Sequence, residues 1–118
     1  GGKSPSAGTP CDCHYQGWTI KNYEKAMDKV RSGTPLEAQK GLTFDSSYAR
    51  GQPTRFAPNQ VIRGWTEAMQ LMSQGEKWEL YIPADNAYGA RGAGGDIPGG
   101  AVLIFQMEIV KISGGIFG

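Results

Sequence analysis

Residues 60–83, "QVIRGWTEAMQLMSQGEKWELYIP", change their apolar period halfway along, and that change decides the fold class. Val61, Ile62, Trp65, Ala68, Met69 and Met72 recur at helical spacing and form one broad apolar face, closed by Gly75. After the glycine, Trp78, Leu80 and Ile82 alternate with Glu79 and Tyr81, the period of a strand with one face inward, and Pro83 ends the run. A helix with a single apolar face must lie against a sheet, and this strand supplies part of one. Toward the C-terminus, "AVLIFQMEIVKI" (101–112) is the most apolar strand, with Leu103, Phe105, Met107 and Ile109 on one face and Val102, Ile104, Gln106 and Glu108 on the other. Its place is expected to be central. Toward the N-terminus, Cys11, Cys13 and Tyr15 alternate with Asp12, His14 and Gln16, predicting a strand over 11–19. Shorter strands are expected at Leu42–Asp45 and Thr54–Phe56. The class is α+β, a mostly antiparallel sheet packed on one main helix.

Residues 20–42 interrupt this scheme with helical signals. Tyr23, Ala26, Met27 and Val30 share one face of a short amphipathic helix over 22–32, with Asn22 as its expected N-cap and Gly33 as its stop. Thr34, Pro35 and Glu37 then spell a capping box, predicting a second helical turn over 35–40 that ends at Gly41. The opening "GGKSPSAGTP" and the tail "SGGIFG" (113–118) read as loop or frayed ends.

The chain's 118 residues suit one domain, 1–118. Twelve Lys and Arg against 11 Asp and Glu, spread evenly, give no electrostatic footprint for nucleic acid or an anionic membrane. No apolar run approaches the ~20 residues that span a bilayer. Two cysteines two positions apart on a strand do not make a disulfide framework, which favours a reducing compartment.

Three groups of residues invite chemistry. The glycines of "YGARGAGGDIPGG" (88–100) resemble a phosphate cradle, but Ile97-Pro98 and a strand follow, so no helix N-terminus faces an anion there. "CDCH" (11–14) offers zinc ligands, yet strand alternation sends His14 to the face opposite Cys11 and Cys13. Core packing of the thiols and a structural hydrogen bond for His14 are expected, with no metal. His14 is also the only histidine, and no G-x-S-x-G elbow accompanies it, which leaves a Ser-His-Asp triad little support. The third group is an excess of aromatics, Tyr15, Phe44, Phe56, Trp65, Tyr88 and Phe105, with Asp45 as the one obvious carboxylate beside them. These rings form either an ordinary core or an apolar pocket for a small ligand, and composition does not choose.

The segments "CHYQG", "FDSSYARGQP" and "QVIRGWTEAMQLMSQGEKWELYIPADNAYGARGAGGDIPGGAVLIFQMEIV" together resemble the FKBP family of peptidyl-prolyl cis-trans isomerases, in its macrophage-infectivity-potentiator-like branch. F-D-S-S, V-I-x-G-W and A-Y-G…I-P all occur in family order. The resemblance implies a strongly bent antiparallel sheet wrapped around one short α-helix, with a short helical insertion at about 20–42 and a proline pocket between sheet and helix. It implies Trp65 as the floor, and Tyr15, Phe44, Phe56, Val61, Ile62 and Phe105 as walls. Asp45 and Tyr88 become the polar contacts, Tyr88 donating to a substrate carbonyl and Arg50 holding Asp45, while Ile97 belongs to a flexible glycine loop overhanging the pocket. Asp45 either meets the displaced carbonyl or orients Tyr15 and Arg50.

The implied function is isomerisation of X-Pro peptide bonds in protein folding, with FK506- and rapamycin-type macrolides binding in the same pocket and no cofactor. The alternative is an FKBP-shaped interaction or chaperone module that uses the insertion. Expected partners are proline-containing peptides and proteins and macrolide inhibitors, without nucleic acid or membrane. A monomer is expected, acting in the cytoplasm, or in the secretory pathway or outside the cell if a signal precedes Gly1. Three departures from the family pattern stand out: Thr54 is not aromatic, the family's first strand is not seen before Gly1, and the insertion lengthens the connection between "HYQG" and "TFDSS". That insertion is either a surface excursion or a partner-binding helix that presents Tyr23, Met27 and Val30.

Overall fold

A computed structural model describes residues 3–113. Five antiparallel strands form its sheet: β1 (Cys11–Thr19), β2 (Asp45–Ser46), β3 (Thr54–Phe56), β4 (Lys77–Ile82) and β5 (Leu103–Ile112), in the order β2-β1-β5-β4 with β3 also on β1. β1 and β5 pair along nearly their whole length, from Cys11↔Ile112 to Thr19↔Leu103, with a register shift between Asp12 and Cys13. β1 meets β3 at its start (Cys11↔Phe56) and β2 further along (Gln16↔Ser46), so its free edge changes partner midway and the sheet curls. β5 is interior, as its apolar character predicts.

The main core lies between the sheet and α3 (Arg63–Met69), where Met69 and Met72 join Leu80, Ile82, Leu103, Phe105, Met107 and Ile109. α3 is shorter than its apolar pattern implies. Val61 and Ile62 precede it in extended backbone, φ −131° and −59° with ψ 177° and 153°, because Pro58–Gln60 takes a 3-10 turn just before. Helix and sheet approach closely because position 64 is glycine; a Cβ there would lie 2.7 Å from Ile82. Cys11 and Cys13 are fully buried in this core and unpaired. His14 faces the other side, its Nδ1 2.8 Å from Ser47 Oγ and its ring stacked on Tyr48 at 4.6 Å. Alternation along β1 is the reason the three do not converge.

The insertion covers that other side. α1 (Ile20–Arg31) starts directly from the end of β1, so its N-cap is Thr19 and not Asn22, which lies inside the helix. Ser32 is the C-cap, and Gly33 follows with φ +105° and its N–H on the Val30 carbonyl, the stop that the sequence signals. The expected capping box does not form. Pro35 caps a short 3-10 turn, Leu36–Ala38, with no side-chain bond, and Glu37 instead reaches across the sheet to Gln106 at 2.5 Å and Lys77 at 3.0 Å. Ala26 and Trp18 bury themselves against Ile104, with Tyr23, Leu36 and Leu42 packed around them. The strand expected at Leu42–Asp45 is only Asp45–Ser46, because α2 (Ser47–Arg50) begins at once, capped by Ser46 Oγ accepting from the Ala49 N–H. Of the tail at 113–118, only Ser113 lies within the described residues.

Candidate functional site

A cavity of about 510 Å3 opens between the curled sheet and the N-terminal end of α3. Trp65, in the first turn of α3, is 6% exposed and forms its floor. Around it the rings meet edge to face: Tyr15 at 4.9 Å and 71°, Phe105 at 4.9 Å and 82°, with Phe56 tilted at 5.3 Å. Phe44 extends the wall by crossing Phe105 at 85°. Such crossings suit the ring quadrupoles and hold each face in one orientation. The chain brings these rings together from four elements and the loop before β2.

Glycine makes the wall between Phe44 and Phe105. A Cβ on Gly17 would sit 2.5 Å from the Phe105 ring and 2.6 Å from that of Phe44, so the two rings cross only because β1 carries no side chain there. No periodic signal marks this glycine in the sequence.

The polar rim is a closed network. The Tyr15 hydroxyl donates to Asp45 Oδ2 at 2.6 Å, and Arg50 donates to Asp45 Oδ1 at 2.6 Å, to the Tyr15 hydroxyl at 2.9 Å and to Thr54 Oγ1 at 3.0 Å. Burial pushes the Asp45 carboxyl up, but the bonds from Tyr15 and Arg50 outweigh it and hold the group below its ordinary value. Burial also raises the Tyr15 phenol, and the bond to Asp45 adds to it. Asp45 is thus anionic with both oxygens engaged, and Tyr15 is a neutral donor. Arg50 and Asp45 are each 45% exposed, so this ion pair orients more than it stabilises.

Of the residues that the sequence singles out, Tyr15, Phe44, Asp45, Phe56, Val61, Ile62, Trp65, Tyr88 and Phe105 all line the cavity. Arg50 is not among its lining residues; it stands behind Asp45 and Tyr15. Ile97 is not among them either. It is 7% exposed and packed in the main core, because the glycine loop folds back on itself: Ala93 and Ile97 exchange backbone bonds, and Gly100 donates to Gly89. A Cβ on Gly92 would lie 2.2 Å from the Ile97 carbonyl oxygen, and one on Gly99 2.1 Å from that of Ala90. These glycines permit backbone to pack on backbone. The segment enters β5 with no helix, so the phosphate-cradle geometry is not formed.

One lining residue went unmarked in the sequence, Gln60, and Thr54 lines the cavity at the wall position noted as not aromatic. Gln60 ends the 3-10 turn before α3, and its Oε1 accepts from the Ala57 N–H at 2.8 Å. A glutamine in a loop carries no periodic signal. Thr54, the non-aromatic wall position, receives Arg50 in place of a ring.

Comparison with known proteins agrees with this geometry. A family model described as FKBP-type peptidyl-prolyl cis-trans isomerase matches residues 1–110. The chain is 43% identical over 115 residues to a protein named "Macrophage infectivity potentiator" of Trypanosoma cruzi, covering 98% of this chain and 49% of that one. It is 49% identical over 85 residues to an "FKBP-type 22 kDa peptidyl-prolyl cis-trans isomerase" of Escherichia coli strain K12, covering 72% of this chain and 41% of the relative. The chain therefore spans about half or less of the length of these relatives. Among solved structures, a peptidyl-prolyl cis-trans isomerase of Pseudomonas syringae pv. tomato superposes with a TM-score of 0.73 at 34% identity, covering 97% of this chain and 69% of the other. FkpA from Escherichia coli superposes with a TM-score of 0.75 at 31% identity, covering 96% and 44%.

Proposed function

The chain belongs to the FKBP-type peptidyl-prolyl cis-trans isomerase family, and we propose that its aromatic cavity catalyses rotation about X-Pro peptide bonds. The observation that carries the reading is the joining of a Trp65-floored apolar cavity to a rim whose carboxylate is already satisfied. Such a site needs no nucleophile. Rotating an amide breaks resonance against a barrier of about 18–20 kcal/mol, and no covalent bond changes. What lowers that barrier is better binding of the twisted amide than of the planar one.

The twisted amide has lost conjugation, and its carbonyl is less polar. An apolar cavity therefore disfavours the planar form more than the twisted one. A proline ring seated on Trp65 is gripped by the Tyr15 and Phe105 edges and the tilted Phe56 ring, while Tyr88, 40% exposed at the rim, donates to a substrate carbonyl. Asp45 acts by orientation: it fixes the Tyr15 ring and the Arg50 guanidinium, which leaves the cavity wall in one shape. Uncatalysed X-Pro isomerisation takes tens to hundreds of seconds, slow enough to limit folding, so substrates are proline-containing proteins and peptides with an apolar residue at X. Macrolides of the FK506 and rapamycin type occupy the same cavity in this reading, and residues 1–118 act as one domain.

The test is direct. The isomerisation rate of an X-Pro peptide, followed by exchange spectroscopy, is expected to rise well above the uncatalysed rate and to fall when rapamycin is added. Rapamycin is also expected to change the fluorescence of Trp65. A rate equal to background would end the reading.

A further inference from the structure

Donors and acceptors around the cavity are unequally spent. Both Asp45 oxygens accept, from Tyr15 and Arg50. Gln60 Oε1 accepts from Ala57, and Thr54 Oγ1 from Arg50. The buried Trp65 Nε1 has no acceptor among the described residues, and hydrogens are also left over on the solvent-exposed Gln60 Nε2 and on the Thr54 and Tyr88 hydroxyls at the rim. The one buried polar atom at the cavity without a partner is thus a donor, Trp65 Nε1, and the oxygens nearest it each already hold a donor, so the cavity favours a ligand that brings acceptors. An X-Pro segment is such a ligand, since every residue brings a carbonyl and proline brings no N–H. An ordinary peptide stretch brings an N–H with every carbonyl, and each N–H would have to share an oxygen that already holds a donor or compete with water at the rim.

Gln60 is the spare donor whose orientation the backbone settles. Only its oxygen can face the Ala57 N–H, so the amide nitrogen is the end left for a ligand. We propose that Gln60 is a specificity-determining residue, its Nε2 donating to a backbone carbonyl beside the proline, separate from the one taken by Tyr88. This rests on the isomerase reading above and names how that site recognises its substrate.

Gln60→Glu tests it, because the carboxylate keeps an acceptor for the Ala57 N–H while losing both hydrogens. The variant is expected to melt with the wild type and to lose about threefold to tenfold in kcat/KM on an uncharged X-Pro peptide, the range of one modest hydrogen bond. Peptides carrying a single thioamide, placed in turn at the carbonyls flanking the X-Pro bond, locate the contact by a double-mutant cycle. One of them should weaken the wild type by the same factor and weaken Gln60→Glu no further. Equal kcat/KM for Gln60→Glu and wild type, or losses that multiply for every thioamide, would overturn the proposal while leaving the isomerase reading intact. A wild type that accelerates none of the peptides would overturn that reading itself.

Discussion

The middle of β1 and β5, residues 15–18 and 103–107, is buried on both faces, but the two faces are buried differently. On the inner face Tyr15, Phe105 and Trp65 meet at right angles and enclose a cavity. On the outer face Trp18, Ile104 and Ala26 pack against the inserted α1, and beside them Gln16 donates to Gln106 at 2.8 Å, which donates to Glu37. The outer face is filled by the chain itself, whereas the inner face keeps room beside Gly17 and Trp65. Rings that cross cannot close on one another, and a glycine between them adds no side chain to fill the space. The insertion supplies side chains that the outer face of an edge-to-edge strand pair otherwise lacks.

The strongest way to break this contrast is to remove one tryptophan from each face. Trp65→Ala and Trp18→Ala should each destabilise by about 3–5 kcal/mol in denaturant titration, since both are deeply buried. Only Trp65→Ala should also abolish isomerisation and rapamycin binding by the folded fraction. If Trp18→Ala silences the folded molecules too, the faces are not independent.

Gly17→Ala asks whether the crossing of Phe44 and Phe105 shapes the pocket. The added methyl must displace a ring, so a loss of about 1–3 kcal/mol is expected together with a lower kcat/KM. Unchanged kinetics would show that the wall does not need that crossing.

Acid sharpens the comparison at the rim. The Asp45 carboxyl is held below its ordinary value in the fold, so its contribution is present above the unfolded value of about 3.9 and is lost as pH falls through the lower folded value. Stability should therefore be insensitive to Asp45 between pH 5 and 8, and below about pH 4 it should fall more steeply for the wild type than for Asp45→Asn. The difference should stay within about 1 kcal/mol, because the pair is half exposed. Parallel acid curves would remove Asp45 from the account.

The smallest effect belongs to Tyr23→Phe, which deletes the bond from Tyr23 to Glu79 that ties α1 to β4. About 1 kcal/mol or less of stability is expected to go, with isomerisation unaltered. A change in kcat would mean that the insertion acts on the pocket.

The elements differed in how readily the sequence disclosed them. β1, β3, β4 and β5 follow their alternation closely, and Gly33 stands just beyond α1 with φ +105°, whereas Gly75, expected to close the main helix, lies in the turn before β4 with φ +90°, because α3 already ends at Met69 with Gln70 as its C-cap. Elsewhere local rules lost to neighbours. Asn22 did not cap α1 because the chain passes from β1 into helix without a break, and Glu37 left its capping box for Gln106 and Lys77. The second outcome depends on residues far away along the chain.

For the site, motifs in the sequence named nine of the side chains that line the cavity, Asp45, Trp65, Tyr88 and the aromatic walls among them, and left out Gln60. Tertiary structure alone decided how they are used: Asp45 with both oxygens engaged, Ile97 turned into the core, Gly17 parting two rings, and Gln60 with its amide nitrogen left over. Periodicity reports which face of an element is buried, because burial repeats with the backbone. Which hydrogen-bonding partner each polar atom takes depends on groups brought close by the curl of the sheet, and that closeness has no counterpart in local order.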